Sequence, residues 1–262
     1  ILEALSTSVS DDNDPAVIDE IDMANVESVS KILTKTMAIK MGNSKLKFGW
    51  KLWNQITQGG GRRGECCLAP ALQHQYKSGT CRSIFMQIPR YNIPVMIDKN
   101  KKPLVVYISA EDDTPIIMSF MYQYLYLNKF KKSPVMEDIT PAEMAEFIKT
   151  ELGVNGYHVK IMKINPSEWS IKHLFNKVLQ WEAEGFELHA MLFDYLAKLP
   201  TTGCTVTGPG GTDVRDMLNR YRNFFNIRET FSYTPWQIST EAKQLIRNGT
   251  PDSTFVKEMV GK

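Results

Sequence analysis

Lys77 and Ser78 stand side by side after a short apolar run, Cys66–Leu68, and a polar stretch, Gln73-His74-Gln75-Tyr76. Gly79, Thr80 and an amphipathic run from Ser83 to Ile88 follow. A strand, a loop ending in Lys-Ser and a helix form the layout of a phosphate-binding loop. In such a loop backbone N–H groups cradle the phosphates, the lysine reaches the β and γ groups, and the hydroxyl binds Mg²⁺. The pattern G-x-x-x-x-G-K-[ST] asks for glycine where this chain has Ala71 and Tyr76. Taken alone, Lys-Ser after a strand reads first as a basic surface turn, so the decision falls to what lies downstream.

Two further carboxylates stand where such a loop needs them. Leu104–Ile108 is an apolar, β-branched run of strand length that releases Ser109-Ala110-Glu111-Asp112-Asp113. Open α/β sheets place their ligands at that edge. Leu188–Phe193 runs straight into Asp194-Tyr195-Leu196, and an apolar strand ending in Asp supplies the carboxylate that holds a Mg²⁺ hydration shell. An aspartate at a strand end reads equally as a helix N-cap. A fourth strand, Thr230–Tyr233, leads to Thr234-Pro235-Trp236-Gln237.

The totals narrow the classes. The chain of 262 residues can hold one large α/β domain or at most two. A net charge of +2 provides no global basic field, so any nucleic-acid contact must be local. Cys66, Cys67, Cys81 and Cys204 lack C-x-x-C spacing and read as reduced core thiols. His74, His158, His173 and His189 are scattered, which argues against a protein-bound transition metal. With no h-region and no bilayer-length apolar run, we expect a soluble, cytoplasmic protein without a membrane partner. The chain opens on Ile and closes on Met259-Val260-Gly261-Lys262, so we read it as a piece of a longer protein with a truncated C-terminus.

These residues need elements to position them. Residues 1–15 read as a polar arm, and Ala16–Met41 carries a partial helical stripe able to dock on a neighbouring subunit. Phe48, Trp50 and Trp53 read as core anchors, and Gly59-Gly60-Gly61 as the turn feeding the first core strand. The helix after the phosphate-loop candidate is expected to run until Pro89. Thr114–Phe130 is expected as a packed helix whose Lys129, Lys131 and Lys132 form a solvated end. Thr140-Pro141-Ala142-Glu143 is a capping box opening a helix that Gly153 stops. Tyr157–Ile164 alternates as a strand, Ser170–Glu184 has the spacing of a covering helix, and helices are expected over Asp213–Phe225 and Ser239–Asn248. Thr201–Thr212 is a flexible loop. Alternating strands and helices point to an α/β fold with a mainly parallel central sheet flanked by helices.

The order of these motifs resembles the RecA-like motor domain of DnaB-type replicative DNA helicases, particularly those of bacteriophages. Gly-Glu before the first strand, Lys77-Ser78, Ser109-Ala110-Glu111, Asp194-Tyr195-Leu196 and Gln237 carry the resemblance, over roughly Lys47–Gly249. It implies a RecA-like P-loop NTPase domain over residues 47–262, preceded by an arm and linker helix over residues 1–46. It implies ATP and Mg²⁺ as cofactors, held by Gln73, His74, Gln75, Tyr76, Lys77, Ser78, Gly79 and Thr80, with Ser78 and Asp194 serving the metal, Asp194 through water. Glu111 would orient the attacking water and Gln237 would sense the γ-phosphate. The implied partners are single-stranded DNA, further copies in a hexameric ring, and a primase and helicase loader. A weakly active or non-hydrolysing RecA-like assembly protein, or a recombination-type ATPase, remains open. The missing glycines imply a loop that wraps phosphate differently, and no residue is nominated as arginine finger.

Overall fold

The computed structural model describes residues 21–40, 45–205 and 211–238, together with 244, 248 and 249. The arm over residues 1–15, the middle of the 201–212 loop and most of the expected 239–248 helix lie outside the described residues. The chain divides into two compact units, Ile1–Asn43 and Ser44–Lys262. In the first, α1 spans Val26–Lys40, and Asn25 Oδ1 accepts from the amides of Glu27 and Ser28 at its start. Its Val26, Leu33 and Met37 are exposed.

The second unit opens on a two-stranded antiparallel ribbon, β1 (Lys45–Leu46) with β2 (Gly61–Arg62), around the short helix α2 (Lys51–Ile56). Gly60 makes the return: its φ is +117° and an added Cβ would lie 2.1 Å from the Leu46 carbonyl oxygen. The turn lays Phe48 against Phe231, with ring centroids 5.7 Å apart. Trp50 and Trp53 pack on the same cluster, so these aromatics are core anchors.

Five parallel strands follow: β3 (Cys66–Ala71), β4 (Lys102–Ser109), β5 (His158–Lys163), β6 (Phe186–Asp194) and β7 (Phe231–Gln237). Their order in the sheet is β3-β7-β6-β4-β5. A parallel sheet covered on both faces needs strands that are apolar throughout, and β4 shows why its run is continuous. Leu104, Val106 and Ile108 face one cluster with Leu174, Val178 and Trp181 of α6 (Ile171–Ala183) and Met217, Tyr221 and Phe225 of α7 (Thr212–Ile227). Val105 and Tyr107 face the other, built from α3 (Lys77–Tyr91), α4 (Thr114–Phe130) and α5 (Pro141–Gly153). The capping box of α5 is present, with Glu143 N–H donating to Thr140 Oγ1 and Thr140 N–H to Glu143.

Several expected boundaries move, each for a local reason. α3 runs through Pro89 to Tyr91. The carbonyls that a terminal turn leaves unpaired are met by side-chain amides: Asn92 donates to Ile88, and Asn155 donates to Pro89 and Arg90. β3 extends to Ala71 because it is an edge strand, where Pro70 is tolerated. β7 extends to Gln237 because its pairing with β6 ends at Tyr233, leaving Pro235 beside β3 alone. Lys129 is not simply solvated, since it lies 2.7 Å from Glu151.

At the N-terminal edge of the sheet, the β4–β6 register shifts after Leu104 so that His189 is the extra residue. Such a bulge re-aims a side chain, and here it inserts the fully buried His189 between Tyr157 and Glu187. Glu187 accepts from His189 Nε2 at 3.0 Å, from Arg63 Nη2 at 2.8 Å and from the amides of Ile97 and Asp98. Arg63 also donates to the carbonyls of Val95 and Glu229. Burial alone would push the Glu187 carboxyl up, but these donors outweigh it and hold it at about 2. Burial keeps His189 below its ordinary value, against the upward pull of Glu187. A neutral ring donating from Nε2 therefore accepts the Tyr157 hydroxyl at Nδ1.

Candidate active site

Because all five strands are parallel, their C-terminal ends share one edge of the sheet. That edge gathers the loop after β3, the Ser109–Asp113 turn after β4, Asp194 at the end of β6 and Gln237 at the end of β7. The order places β7 between the phosphate-loop strand and the Asp194 strand, with Gln237 in register with Ala71.

The loop spans Leu72–Tyr76 and delivers Lys77 to the first position of α3. Its shape is held from within: Leu72 N–H donates to Gln75 Oε1 at 2.9 Å, and the Leu72 carbonyl accepts Lys77 Nζ at 2.9 Å. Gln73, His74, Gln75 and Tyr76 are exposed, whereas Gly79 is buried. The left-handed backbone expected to need glycine is adopted without it. His74 has φ 65°, and Tyr76, the N-cap of α3, has φ 54° and ψ 32°. For residues with a Cβ that conformation costs about 1–2 kcal/mol each. Gly79 supplies none of it, being helical; its lack of a side chain makes room for the Tyr76 ring. The loop therefore departs from the glycine pattern in residue type but keeps a left-handed entry into the helix.

Asp194 is fully buried. Ser78 Oγ donates to its Oδ1 at 3.2 Å, and the Tyr107 hydroxyl donates to its Oδ2 at 2.8 Å. Burial raises its pKa; the hydrogen bonds from Tyr107 and Ser78 oppose that, and the carboxylates of Glu111 and Asp112 add to it. A buried carboxylate raised by desolvation and by like charge, touching a serine hydroxyl, is a hard-oxygen pair suited to a divalent cation that keeps most of its shell as water and phosphate oxygens. No cluster of three or more His, Cys, Asp or Glu able to cage a metal occurs among the described residues. The residues present fit Mg²⁺ held jointly with a nucleotide.

Glu111 sits in a tightly specified turn. The Ser109 hydroxyl donates to the Asp112 carbonyl and accepts from the Glu111 amide, while the Ala110 amide bonds the Asp194 carbonyl at 2.7 Å. Each of the three acids has its own cation from a different element. Glu111 pairs with Lys198 at 3.1 Å, Asp112 with Arg82 of α3 at 3.0 Å, and Asp113 with Lys163 of β5 at 3.5 Å. Lys198 Nζ lies 5.4 Å from the centre of the Tyr195 ring; burial, followed by the Glu111 charge, raises the Tyr195 pKa, and the contact with Glu111 raises that of Lys198.

Ser78 and Asp194 are thus brought together, Lys77 beside them is turned to the Leu72 carbonyl, and Glu111 lies within electrostatic reach of Asp194. Gln237 reaches the same edge as an exposed residue, but no hydrogen bond links it to Lys77, Ser78, Asp194 or Glu111. Sequence reading missed Tyr107, Arg82, Lys163, Tyr195 and Lys198. The only signal for Tyr107 was a polar-tipped residue within an apolar strand. The other four partners are set by sheet order and helix rotation, which spacing does not encode.

Comparison with known proteins agrees with this architecture. Among solved structures, the chain is similar to one described as an ATPase domain, with a TM-score of 0.57 and 12% identity, over 85% of this chain and 74% of that one. It is also similar to a DnaB-like replicative helicase, from a structure described together with its interactions with primase. There the TM-score is 0.54 and the identity 13%, over 93% of this chain and 53% of that one, so the chain spans about half the length of that relative. Both similarities are of fold. Among curated proteins none matches. No helix among the described residues is long and apolar enough to cross a membrane. One family model, that of the divergent DnaB-like ATPases, matches residues 1–262, and the chain belongs to that family.

Proposed function

We propose that this chain is the ATP-dependent motor domain of a replicative DNA helicase, hydrolysing ATP at the subunit interfaces of a hexameric ring to translocate on single-stranded DNA and unwind duplex. The observation that carries this reading is the contact between the phosphate-loop serine and the buried Asp194, with Glu111 on the adjacent strand end. In this reading Lys77 leaves the Leu72 carbonyl for the β and γ phosphates, and the N–H groups of Gln73–Thr80 surround the phosphate chain. Ser78 and Asp194 hold the Mg²⁺, the latter through water; the ion would neutralise charge developing on the phosphate oxygens. Glu111 orients the water and accepts its proton. Gln237, between the loop strand and the Asp194 strand, senses the γ-phosphate.

Residues 1–46 serve as arm and linker, with α1 docking on the neighbouring subunit, and residues 47–262 as the motor. A primase and a helicase loader are the expected protein partners, in the cytoplasm. The test is ATP turnover by the full-length protein with and without single-stranded DNA, beside Lys77→Ala and Glu111→Gln. The expected result is DNA-stimulated turnover that Lys77→Ala abolishes, and that Glu111→Gln lowers by about 10²–10⁴-fold with nucleotide still bound. Nucleotide binding without turnover in the assembled wild type would favour the second reading, a non-hydrolysing assembly or sensing protein. One observation favours that reading: the loop replaces both glycines and lays a tyrosine ring against its own helix.

A further inference from the structure

Tyr76 stands where the phosphate loop expects its second glycine, and its ring is folded back onto the helix that the loop opens. A Cβ added to Gly79 would lie 2.2, 2.3 and 2.5 Å from the Cζ, Cε1 and Cε2 atoms of Tyr76. A helical Cβ points outward and toward the N-terminus, so the ring covers the outer, N-terminal side of the first turn of α3. That turn holds the N–H groups of Lys77, Ser78 and Gly79, which have no partner within the helix and no side-chain cap. The ring gains little by being there, because Tyr76 remains 63% exposed, and its backbone bears the cost of the left-handed region. Packing alone does not account for a tyrosine at this place.

Resting on the nucleotide-binding reading above, we propose that Tyr76 is a gate on the phosphate loop. With Lys77 and Ser78 directed to the terminal phosphates and the metal, the remainder of a nucleotide leaves the loop across the first turn, past Gly79, where the ring lies. Ring and nucleotide exclude one another, and binding requires the side chain to swing off Gly79. The neighbouring aromatic surface that can receive it is Phe120, whose centroid is 6.5 Å away. Phe120 is itself fixed under the Arg82 guanidinium at 4.6 Å, and Arg82 is tied to Asp112. Opening the gate thus moves the ring toward the residue that anchors the Glu111 turn. Glycine is needed at 79 for the closed position, not for backbone conformation.

Affinity is reduced by the fraction of molecules that are open, so a gate open about one-fifth of the time weakens binding about fivefold. Calorimetric titration of MgADP into the full-length wild type, Tyr76→Gly, Tyr76→Phe and Tyr76→Gly with Lys77→Ala reads this directly. The proposal expects binding at least about fivefold tighter in Tyr76→Gly, no such gain in Tyr76→Phe, which keeps the ring, and loss of the gain when Lys77 is removed. Equal or weaker binding in a folded Tyr76→Gly protein overturns the gate and makes the ring a support for the ligand. If neither wild type nor Tyr76→Gly binds MgADP, the nucleotide reading itself fails and the gate with it. The closed contact is tested without nucleotide by Gly79→Ala, expected to lower Tm in the wild type but not in the Tyr76→Gly background. The same Tm change in both backgrounds would show that the ring does not rest on Gly79 and overturn the proposal.

Discussion

Replacing Glu187 by glutamine tests how the edge of the sheet remote from the site is held. The carboxylate collects an arginine, a histidine N–H and two backbone amides, and its pKa lies at about 2 against an ordinary 4.5. Since the folded value is depressed, the stabilisation is fully present above about pH 5 and is lost as pH falls through 4.5 toward 2. At roughly 1.4 kcal/mol per tenfold change in proton affinity, the gap corresponds to about 3 kcal/mol at neutral pH. Breaking a buried ion pair typically costs about 3–5 kcal/mol, which agrees. Glutamine can still accept the two amides, but its NH₂ confronts the donors of Arg63 or His189. Guanidinium unfolding should therefore show a loss of about 3 kcal/mol at pH 7, shrinking to about 2 near pH 3.5, where the carboxyl of the unfolded wild-type chain has taken up its proton and that of the folded chain has not. Glu187 lies seven residues from Asp194 along β6, about 23 Å at strand rise, so nucleotide affinity of the folded variant should match wild type. A loss below about 1 kcal/mol, or one that does not change with pH, would refute the reasoning.

Other perturbations separate roles within the site. Lys198→Met removes a pair whose lysine is 41% and glutamate 36% exposed. Such pairs are worth at most about 1 kcal/mol, so kcat should change less than about fivefold with nucleotide affinity unaltered; a hundredfold change would mean that Lys198 acts on the substrate itself. Tyr107→Phe leaves Asp194 with one hydrogen bond fewer and its pKa higher still, costing about 1.5–3 kcal/mol in unfolding experiments. Because a metal-binding carboxylate must be deprotonated, Mg²⁺-dependent nucleotide binding in this variant should fall off at a higher pH than in wild type as the solution is acidified. Phe225→Ala empties a fully buried position beside Tyr221 and Phe224 and should lower stability by about 3–5 kcal/mol, with little effect on MgADP affinity at temperatures where the protein is folded.

The sheet was legible because apolar runs such as Leu104–Ile108 and Leu188–Phe193 are long, continuous and bounded by polar residues, the pattern a doubly covered strand requires. The acids at their ends were legible for the same reason: an abrupt change from apolar to charged marks a strand terminus. Element boundaries are not legible where a proline intervenes. Pro70 and Pro235 sit inside strands because each has a side of the strand left without a partner, and α3 runs past Pro89 to an end whose free carbonyls are met by the side-chain amides of Asn92 and the distant Asn155. The Glu187 lock was invisible because it depends on a bulge at His189 and on Arg63, more than a hundred residues away. The missing glycines suggest a loop unable to turn left-handed; Tyr76 and His74 adopt that backbone anyway.

In the proposed reading, the cations around the Glu111 turn keep a phosphate loop of unusual sequence coupled to the edge that would carry catalysis. Arg82 belongs to α3, one turn beyond Lys77-Ser78, and holds Asp112. Lys163 ends β5 and holds both the Glu111 carbonyl, at 2.5 Å, and Asp113. Lys198 follows Asp194 and holds the Glu111 carboxylate. Any displacement of α3 is therefore passed to the Glu111 backbone through a charge-assisted contact, while Lys198 relates the Glu111 side chain to the strand that carries Asp194. Arg82 is the least exposed of these cations, at 11%, and lies over the Phe120 ring at 4.6 Å, so its charge is the least screened of the three. Coupling by fixed charges depends on helix rotation and strand ends and not on glycine, so the loop's residue types can change while the link to Glu111 stays in place.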